Sequence, residues 1–347
     1  MEASDIRGFN YDGSWGTSGL DLWQHHQHGT MAVEIARAKK HFPGWNVARW
    51  WLSDEAFYRN PDGFLANFEA GLSTFARHDI LVIPVLFNRW RDPVCDFGGV
   101  ALEHIVPGLS YMSTLGAEEL FIHADADPAR KLAPMEKNHV RYLESVVGPH
   151  VDDIRIYAWD LCNEPLMGSY AEDPKHFITE AELRWLRWCY QTCKRVGAVQ
   201  PLIVSNYTSL DVMKMTEDIS DIIVFHPYYL WNATEAQSVG GPGTTKENFR
   251  NFLDDCVAMS ERTGKSLYAS ETVWGAHDDA VRTEQIHFTL SELNQRGIGY
   301  TVHALQHSLV ADLHYASYGP VGFPEAMHFV NPDGEIRPGH EAFNDYC

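Results

Sequence analysis

Two glutamates lie where apolar segments of the sequence end, and burying a carboxylate there is costly unless it has a partner or a function. Glu164 directly follows the segment IRIYAWDLCN, and Glu271 lies within the segment LYASET. A pair of opposed carboxylates suits hydrolysis of a glycosidic bond, because one can donate a proton while the other attacks the anomeric carbon or activates water. This chemistry requires a fold that brings the two side chains close together.

The apolar segments predict eight β-strands that alternate with helices along the chain. They are nearly continuous apolar runs, which is typical of parallel strands covered on both faces. The predicted strands are residues 6–11, 46–52, 80–87, 154–161, 202–207, 221–228, 267–272 and 299–305. Eight such alternations in 347 residues favour a (β/α)8 TIM barrel, whose usual size is about 250 residues plus insertions. We therefore predict a single domain over residues 1–347.

Capping motifs and glycines predict where several helices begin and end. Thr179 with Glu182, and Thr244 with Glu247, match the capping box, in which two side chains satisfy free backbone N–H groups at a helix start. Glycines just beyond three helical patterns predict helix ends, at positions 197, 264 and 297.

The predicted loops differ in length between the two ends of the barrel. Helix-to-strand connections are short, whereas strand-to-helix connections are long, at residues 12–29, 88–134, 163–178, 229–244 and 306–340. The long loops would lie at the C-terminal rim, where this fold places its active sites. They contain many aromatic residues, including Trp15, Trp23, Trp90, Tyr111, Tyr170 and Trp231. We therefore expect one deep, aromatic-lined site at that rim.

Polar residues occur in order at the ends of the predicted strands. From strand 2 to strand 7 they are Arg49, Asn163, Glu164, His226, Tyr228 and Glu271. Asn163-Glu164-Pro165 on strand 4 with a second glutamate on strand 7 resembles the clan A glycoside hydrolases, and family 5, the cellulase–mannanase family, is the most similar. The resemblance extends over about residues 6–310, and it consists of a shared pattern of motifs and not of a residue-by-residue match.

The resemblance implies roles for the two carboxylates and their neighbours. Glu164 would be the acid/base and Glu271 the nucleophile, with retention of the anomeric configuration. Asn163 would hydrogen-bond the sugar 2-hydroxyl. Arg49 would keep Glu271 ionised, since a nearby opposite charge lowers the pKa of a carboxyl by roughly 1–3 units.

The resemblance also implies that Tyr228 hydrogen-bonds the nucleophile and that His226 orients the acid/base or the substrate. The family usually has a tryptophan at the end of strand 8, but the segment here reads GYTVHALQHS. We expect Trp274 to supply the missing sugar platform. Further candidate lining residues are His303, Gln306, His307, Asn88, Trp90 and Trp231.

The composition excludes some classes of partner. The formal net charge is −20, from 47 acidic and 27 basic residues, which disfavours nucleic acid and anionic membrane surfaces. The N-terminus has no signal-peptide pattern, and the six cysteines have no disulfide-framework or zinc spacing, so we expect a cytoplasmic protein. The histidine-rich segment 25–29 lacks ligand spacing, and we expect neither metal nor cofactor.

These observations predict a retaining β-glycosidase that acts on β-linked oligosaccharides or glycoconjugates. An exo-acting enzyme of the β-mannosidase, β-glucosidase or β-galactosidase type is favoured, and an endo-β-glucanase or endo-β-mannanase is the alternative. Two other classes stay open: an inactive carbohydrate-binding barrel, and a metal-dependent amidohydrolase with His and Asp ligands at strand ends. The sequence does not indicate the sugar, the linkage or the oligomeric state.

Overall fold

Eight parallel strands form a closed barrel in the computed structural model, which describes residues 1–16, 19–88, 134–166, 177–229, 245–308 and 326–347. Each strand pairs with the next along the chain, and β8 pairs with β1 to close the barrel. From β1 to β8 the strands are Arg7–Tyr11, Val47–Trp51, Leu81–Val85, Trp159–Asn163, Leu202–Asn206, Ile223–Phe225, Leu267–Ala269 and Gly299–Val302. The predicted (β/α)8 barrel is confirmed.

Helices surround the barrel and connect its strands. In chain order, α1 to α9 are Gly19–Gln24, His28–His41, Asp54–Arg59, Pro61–Ala76, Pro134–Val146, Phe177–Val196, Leu210–Met215, Lys246–Thr263 and Asp279–Gln295. Short 3-10 helices are Ala3–Asp5, Gly148–His150, Glu217–Ile219 and His340–Tyr346. None of the helices in the described ranges is long and apolar enough to cross a membrane.

Some helix ends differ from the predicted ones. The cap of α8 is Thr245, whose hydroxyl accepts from the Asn248 N–H, so the predicted cap at Thr244 is wrong by one residue. Helix α8 ends at Gly264 as predicted, in a left-handed conformation (φ +70°) that glycine adopts without strain. Helix α6 begins at Phe177, so Thr179, which was predicted at its start, lies inside the helix.

Strand alternation divides the barrel interior into two layers. The lower layer is an apolar plug that includes Val47, Ile83, Ile203, Val224 and Tyr268. After four of these residues, all except Ile83, the residue two positions further along the chain is polar and lies above the plug, because side chains two apart in a strand point to the same face. The inward residues of this upper layer, at the C-terminal end of the barrel, are Asn10, Arg49, Ser205, His226 and Ser270.

Strand β4 departs from regular alternation. It pairs with β5 through Asp160 opposite Ile203 and Asn163 opposite Ser205. Between these two pairs β4 advances by three residues, whereas β5 advances by two. This extra residue is a β-bulge, which lets Asp160 and Asn163 face the same side. The predicted strand 154–161 was therefore placed too early, because β4 covers Trp159–Asn163.

Candidate active site

The two predicted catalytic glutamates meet at the C-terminal mouth of the barrel. The imidazole of His226 lies between them, with Nδ1 2.6 Å from Glu164 Oε1 and 3.6 Å from Glu271 Oε2. One carboxylate oxygen of each glutamate and one ring nitrogen of His226 all lie within 4.8 Å of one another. All three side chains are buried. The structure thus brings together residues that are 107 positions apart in sequence (271 − 164).

The surroundings of Glu271 favour its charged form. Arg49 Nη1 donates to Oε1 at 2.7 Å, and the Tyr228 hydroxyl donates to Oε2 at 2.8 Å. Burial alone raises the pKa of this carboxyl, because the charged form loses hydration. Interactions with His226, His303 and Arg49, together with the tyrosine hydroxyl, outweigh burial and lower the pKa to about 2. Glu271 is therefore ionised at neutral pH, as a nucleophile requires.

Arg49 joins residues from several strands. Its guanidinium is fully buried and donates to Asp160 Oδ2 at 2.9 Å, Asn10 Oδ1 at 2.9 Å and Asn163 Oδ1 at 2.7 Å, besides Glu271. The planar fork of arginine donors suits several fixed acceptors at once. Arg49 therefore sets the positions of Glu271 and of Asn163 together.

Asp160 is a member of this cluster that sequence reasoning missed. Burial raises the pKa of its carboxyl, while Arg49 and Ser205 act in the opposite direction. A charged residue inside an otherwise apolar strand was the available signal, since such a residue needs a buried partner. Regular alternation would have placed Asp160 on the opposite face from Asn163, and the β-bulge removes that conflict.

Asn163 is positioned from two sides. Its Oδ1 accepts from Arg49, and its Nδ2 donates to Asn88 Oδ1 at 3.1 Å. The predicted lining residue Asn88 therefore touches the site through Asn163. The contact of Asn163 with a sugar hydroxyl stays a prediction.

The backbone at Glu164 has an unusual conformation. Glu164 has φ +45° and Leu166 has φ +57°, in the left-handed region that non-glycine residues rarely adopt. The Glu164 N–H donates to the Ser205 carbonyl at 2.7 Å, and the Leu166 N–H donates to Glu182 Oε1 at 3.1 Å. Glu182, predicted to belong to a capping box, thus holds the segment after Glu164 through its carboxylate.

Two tryptophans line the catalytic cluster. Trp274 packs with Tyr228, ring centroids 5.0 Å apart, and with Met327. Trp51, which sequence reasoning missed, lies over the Arg49 guanidinium at 4.8 Å and touches the His303 ring at 5.6 Å. Trp51 shares the inward face of β2 with Arg49, so strand alternation could have identified it. The predicted platform role of Trp274 stays a prediction.

Asp12 adds a third carboxyl to this end of the barrel. It follows β1 two residues after the inward-facing Asn10, and it is buried. Burial and the proximity of Glu271 raise its pKa to about 7, although Arg49 opposes the shift. The sequence signal was a carboxylate directly after a strand, the same signal that identified Glu164.

The other predicted rim residues have varied positions. Trp23 is buried, and its ring packs against the rings of Trp50 and Phe64. His26, from the histidine-rich segment, packs against Trp23, and burial lowers its pKa to about 4. Gln306 is buried, and the His307 ring lies near that of His328. Four predicted aromatic residues lie outside the described residues, namely Trp90, Tyr111, Tyr170 and Trp231.

One group of side chains in the described ranges has the geometry to hold a metal ion, namely Glu164, His226 and Glu271. Arg49 already places a positive charge 2.7 Å from a Glu271 oxygen, which disfavours a cation there. The same three residues have the arrangement needed for acid/base and nucleophilic chemistry.

Comparison with sequences gives a partial match. No family model matches the chain. A probable mannan endo-1,4-β-mannosidase A-2 from Aspergillus terreus is 27% identical over 141 residues, which are 35% of this chain and 30% of that protein. The chain therefore matches well under two thirds of the length of this curated relative.

Comparison with solved structures covers nearly the whole chain. GH5_18 from Streptomyces cattleya, in complex with Manβ1-4GlcNAc, aligns with a TM-score of 0.68 at 14% identity, over 98% of this chain and 80% of that one. A glycoside hydrolase family 5 mannosidase from Rhizomucor miehei aligns with a TM-score of 0.61 at 16% identity, over 98% and 92%. The chain resembles glycoside hydrolase family 5.

The predicted resemblance to family 5 is thus confirmed. A further structure, the exo-β-1,4-mannosidase Op5Man5 from Opitutaceae bacterium strain TAV5, aligns with a TM-score of 0.70 at 14% identity, over 98% of this chain and 58% of that one. At these identities the similarity establishes the barrel fold.

Proposed function

We propose that the protein hydrolyses β-glycosidic bonds with retention of configuration, through Glu271 as nucleophile and Glu164 as acid/base. The observation that carries this proposal is the separation of the two carboxylates, whose nearest oxygens lie within 4.8 Å. Retaining enzymes hold these groups about 5–5.5 Å apart, whereas inverting enzymes leave roughly 6.5–9.5 Å for a water molecule.

The reaction follows two displacements. In the first, ionised Glu271 attacks the anomeric carbon while Glu164 protonates the departing oxygen, which gives a covalent glycosyl-enzyme and frees the leaving group. In the second, Glu164 removes a proton from water, and the water oxygen displaces Glu271 from the sugar. Arg49 and Tyr228 stabilise the carboxylate of Glu271 before attack and again when it leaves.

The proposed substrate is a short β-linked oligosaccharide or glycoconjugate, and a β-mannoside is favoured. The support is the recurrence of mannosidases and mannanases among the similar proteins, including one described as an exo-β-1,4-mannosidase. We propose exo action, in which one terminal sugar is released at a time. Endo action on mannan is the second candidate, supported by the description of the Aspergillus relative.

The test is hydrolysis of aryl β-mannoside, β-glucoside and β-galactoside by wild type, Glu164→Ala and Glu271→Ala. Both variants should lose most activity, while Glu284→Ala, at an exposed glutamate on α9, should match wild type. With an activated substrate, azide should give a β-azide product with Glu164→Ala, because azide then attacks the glycosyl-enzyme in place of the activated water. With Glu271→Ala it should give an α-azide product, because azide then takes the place of the missing nucleophile. Wild-type activity in Glu271→Ala would refute the assignment.

Product analysis distinguishes the candidate functions. Exo action should release only monosaccharide from a β-1,4-linked mannohexaose at early times, whereas endo action should release mixed oligosaccharides. A binding protein without activity should bind the sugar but leave all substrates intact. Loss of activity in EDTA, restored by a divalent ion, would support a metal-dependent hydrolase instead.

A further inference from the structure

Asp12 has a buried carboxyl group that no described residue contacts by a hydrogen bond. The residue directly follows β1 and is 7% exposed. Gln306 Nε2 approaches only its backbone carbonyl, at 3.5 Å, and among the described residues no donor reaches its side-chain oxygens. Whether ionised or protonated, the carboxyl keeps at least one free acceptor oxygen. A buried acceptor without a partner is unfavourable, so this position calls for a donor from a bound molecule.

The alternation of β1 places this carboxyl on the inner side of the barrel, next to the catalytic cluster. Asn10 points inward, where its Oδ1 accepts from Arg49 Nη1 at 2.9 Å. Tyr11 points outward, and its hydroxyl donates to a side chain of α2. Asp12 is the next inward position above Asn10. It lies close enough to Glu271 and Arg49 for both charges to act on its pKa.

The segment that carries Asp12 is held on both sides. Glu34 on α2 is buried, and its carboxylate accepts from the hydroxyls of Tyr11 and Ser14, which flank Asp12 in sequence. Beyond β8, the Ser308 hydroxyl donates to the backbone carbonyl of the residue after Asp12, at 3.1 Å. The acceptor is therefore fixed before any ligand arrives, so binding does not have to order it.

The place of Asp12 in the barrel indicates which part of a substrate it faces. Glu164 directly follows β4, and in the proposed reaction it protonates the departing oxygen, so the leaving group lies on the β4 side. Strand β1 is three strands away from β4 in the closed barrel of eight. Asp12 therefore faces the sugar that is attacked, on its edge away from the scissile bond. The donors on that edge of a sugar are hydroxyl groups.

We propose that Asp12 accepts a hydrogen bond from a free hydroxyl of the sugar that Glu271 attacks, on the edge away from the scissile bond, and thereby selects a terminal sugar. An oxygen that already takes part in a glycosidic bond has no proton to donate. A chain that continued through this oxygen would leave the buried carboxyl unpaired, and a site built to bind a hydroxyl strongly rejects substrates that lack it. The proposal rests on the proposed function and assigns a residue to its exo action.

Deoxygenated substrates test the contact directly. The parent substrate is the nitrophenyl β-mannoside, β-glucoside or β-galactoside that wild type hydrolyses best, and the probes are its 3-deoxy, 4-deoxy and 6-deoxy analogues. Wild type should hydrolyse at least one analogue roughly 10- to 100-fold less efficiently in kcat/KM than the parent, since a hydrogen bond to the carboxyl is lost. Asp12→Ala should hydrolyse the parent and that analogue equally. Asp211→Ala, at an exposed aspartate on α7, should match wild type.

A second variant guards against loss of folding in the first. Asp12→Asn has nearly the same shape and retains one acceptor oxygen, so its discrimination against the analogue should fall to an intermediate value. The proposal is overturned if wild type does not discriminate against any of the three analogues. It is also overturned if the folded Asp12 variants keep the wild-type ratio of parent to analogue. A loss by the same factor on all four substrates gives that unchanged ratio and would indicate a merely structural role.

Binding provides a readout that does not require catalysis. If none of the nitrophenyl glycosides is hydrolysed, the proposed function fails, and calorimetric titration with methyl β-mannoside, β-glucoside and β-galactoside still tests the contact. Wild type should then bind at least one of these glycosides roughly 10-fold or more tightly than Asp12→Ala does. Equal affinity in the two proteins, or no binding to wild type, would overturn the role of Asp12. Hydrolysis with an unchanged deoxy ratio would overturn only this role and leave the proposed function in place.

Discussion

Arg49 Nη1 lies 2.7 Å from Glu271 Oε1, and the guanidinium that makes this contact also holds Asp160 and Asn163. A single buried cation is thus shared by two buried carboxylates, and it also orients Asn163, the residue next to the proposed acid/base. Removing one partner from such a cluster leaves uncompensated buried charge, which costs far more than a surface ion pair.

Arg49→Ala should therefore lower both stability and activity. We expect the free energy of unfolding to fall by about 3–5 kcal/mol, since Glu271 and Asp160 would lose their shared counter-ion. Arg49→Lys keeps the charge but not the planar fork, so it should retain more stability than activity. Urea denaturation and kcat/KM measured on the same preparations check this. A larger loss of stability than of activity in the Arg49→Lys variant would contradict this prediction.

Tyr228→Phe should weaken the nucleophile without removing it. The Tyr228 hydroxyl donates to Glu271 Oε2 at 2.8 Å and helps to lower the pKa of that carboxyl to about 2. Its loss should raise this pKa, so the acidic limb of the kcat/KM profile should move to higher pH. A hydrogen bond to a charged group is worth about 1.5–3 kcal/mol, which corresponds to roughly 10- to 100-fold in kcat.

The control for this variant is Tyr142→Phe. Tyr142 is also fully buried, but its hydroxyl donates to the Leu86 carbonyl and not to Glu271. It should lose stability but keep the wild-type pH profile. A shifted acidic limb in both variants would show that the shift does not come from Glu271.

The Asp12→Asn variant should gain folding stability relative to wild type as the pH rises. Burial raises the pKa of Asp12 to about 7 in the folded protein, so the folded state binds a proton that the unfolded chain releases near pH 4. Wild-type stability should therefore fall between about pH 4 and pH 7 through this group, and asparagine removes that loss. Between pH 5 and pH 8, urea denaturation should show a relative gain on the order of 2 kcal/mol for the variant. A gain independent of pH would argue against this titration.

Glu182→Ala should lower activity from a distance. Glu182 Oε1 accepts from the Leu166 N–H and supports a segment in which both Glu164 and Leu166 have positive φ. Without this acceptor the acid/base should shift, and a displacement near 1 Å costs roughly 10- to 100-fold in rate. Glu182→Gln retains an acceptor oxygen, so its kcat should stay closer to wild type. Equal losses in the two variants would point to the charge rather than to the hydrogen bond.

The amino-acid sequence alone was sufficient for the barrel and for its two central carboxylates. Continuous apolar runs predict parallel strands, and the contrast between short and long connections indicates which end of the barrel carries the site. Polar residues at strand ends then identify Glu164, Glu271, Arg49, His226 and Tyr228, because a buried strand end tolerates such residues only when they are paired.

The partners of these residues were decided only by the tertiary structure. Local alternation places Asp160 on the face opposite to Asn163, and the β4 bulge that brings both to Arg49 depends on pairing with β5. Ser205 on β5 and Ser270 just after β7 are ordinary in sequence. Their hydroxyl oxygens lie 3.0 Å apart only because the barrel brings the ends of these strands together. Residue types and periodicity are local properties, whereas a buried hydrogen-bond network depends on distances between strands that are remote in sequence.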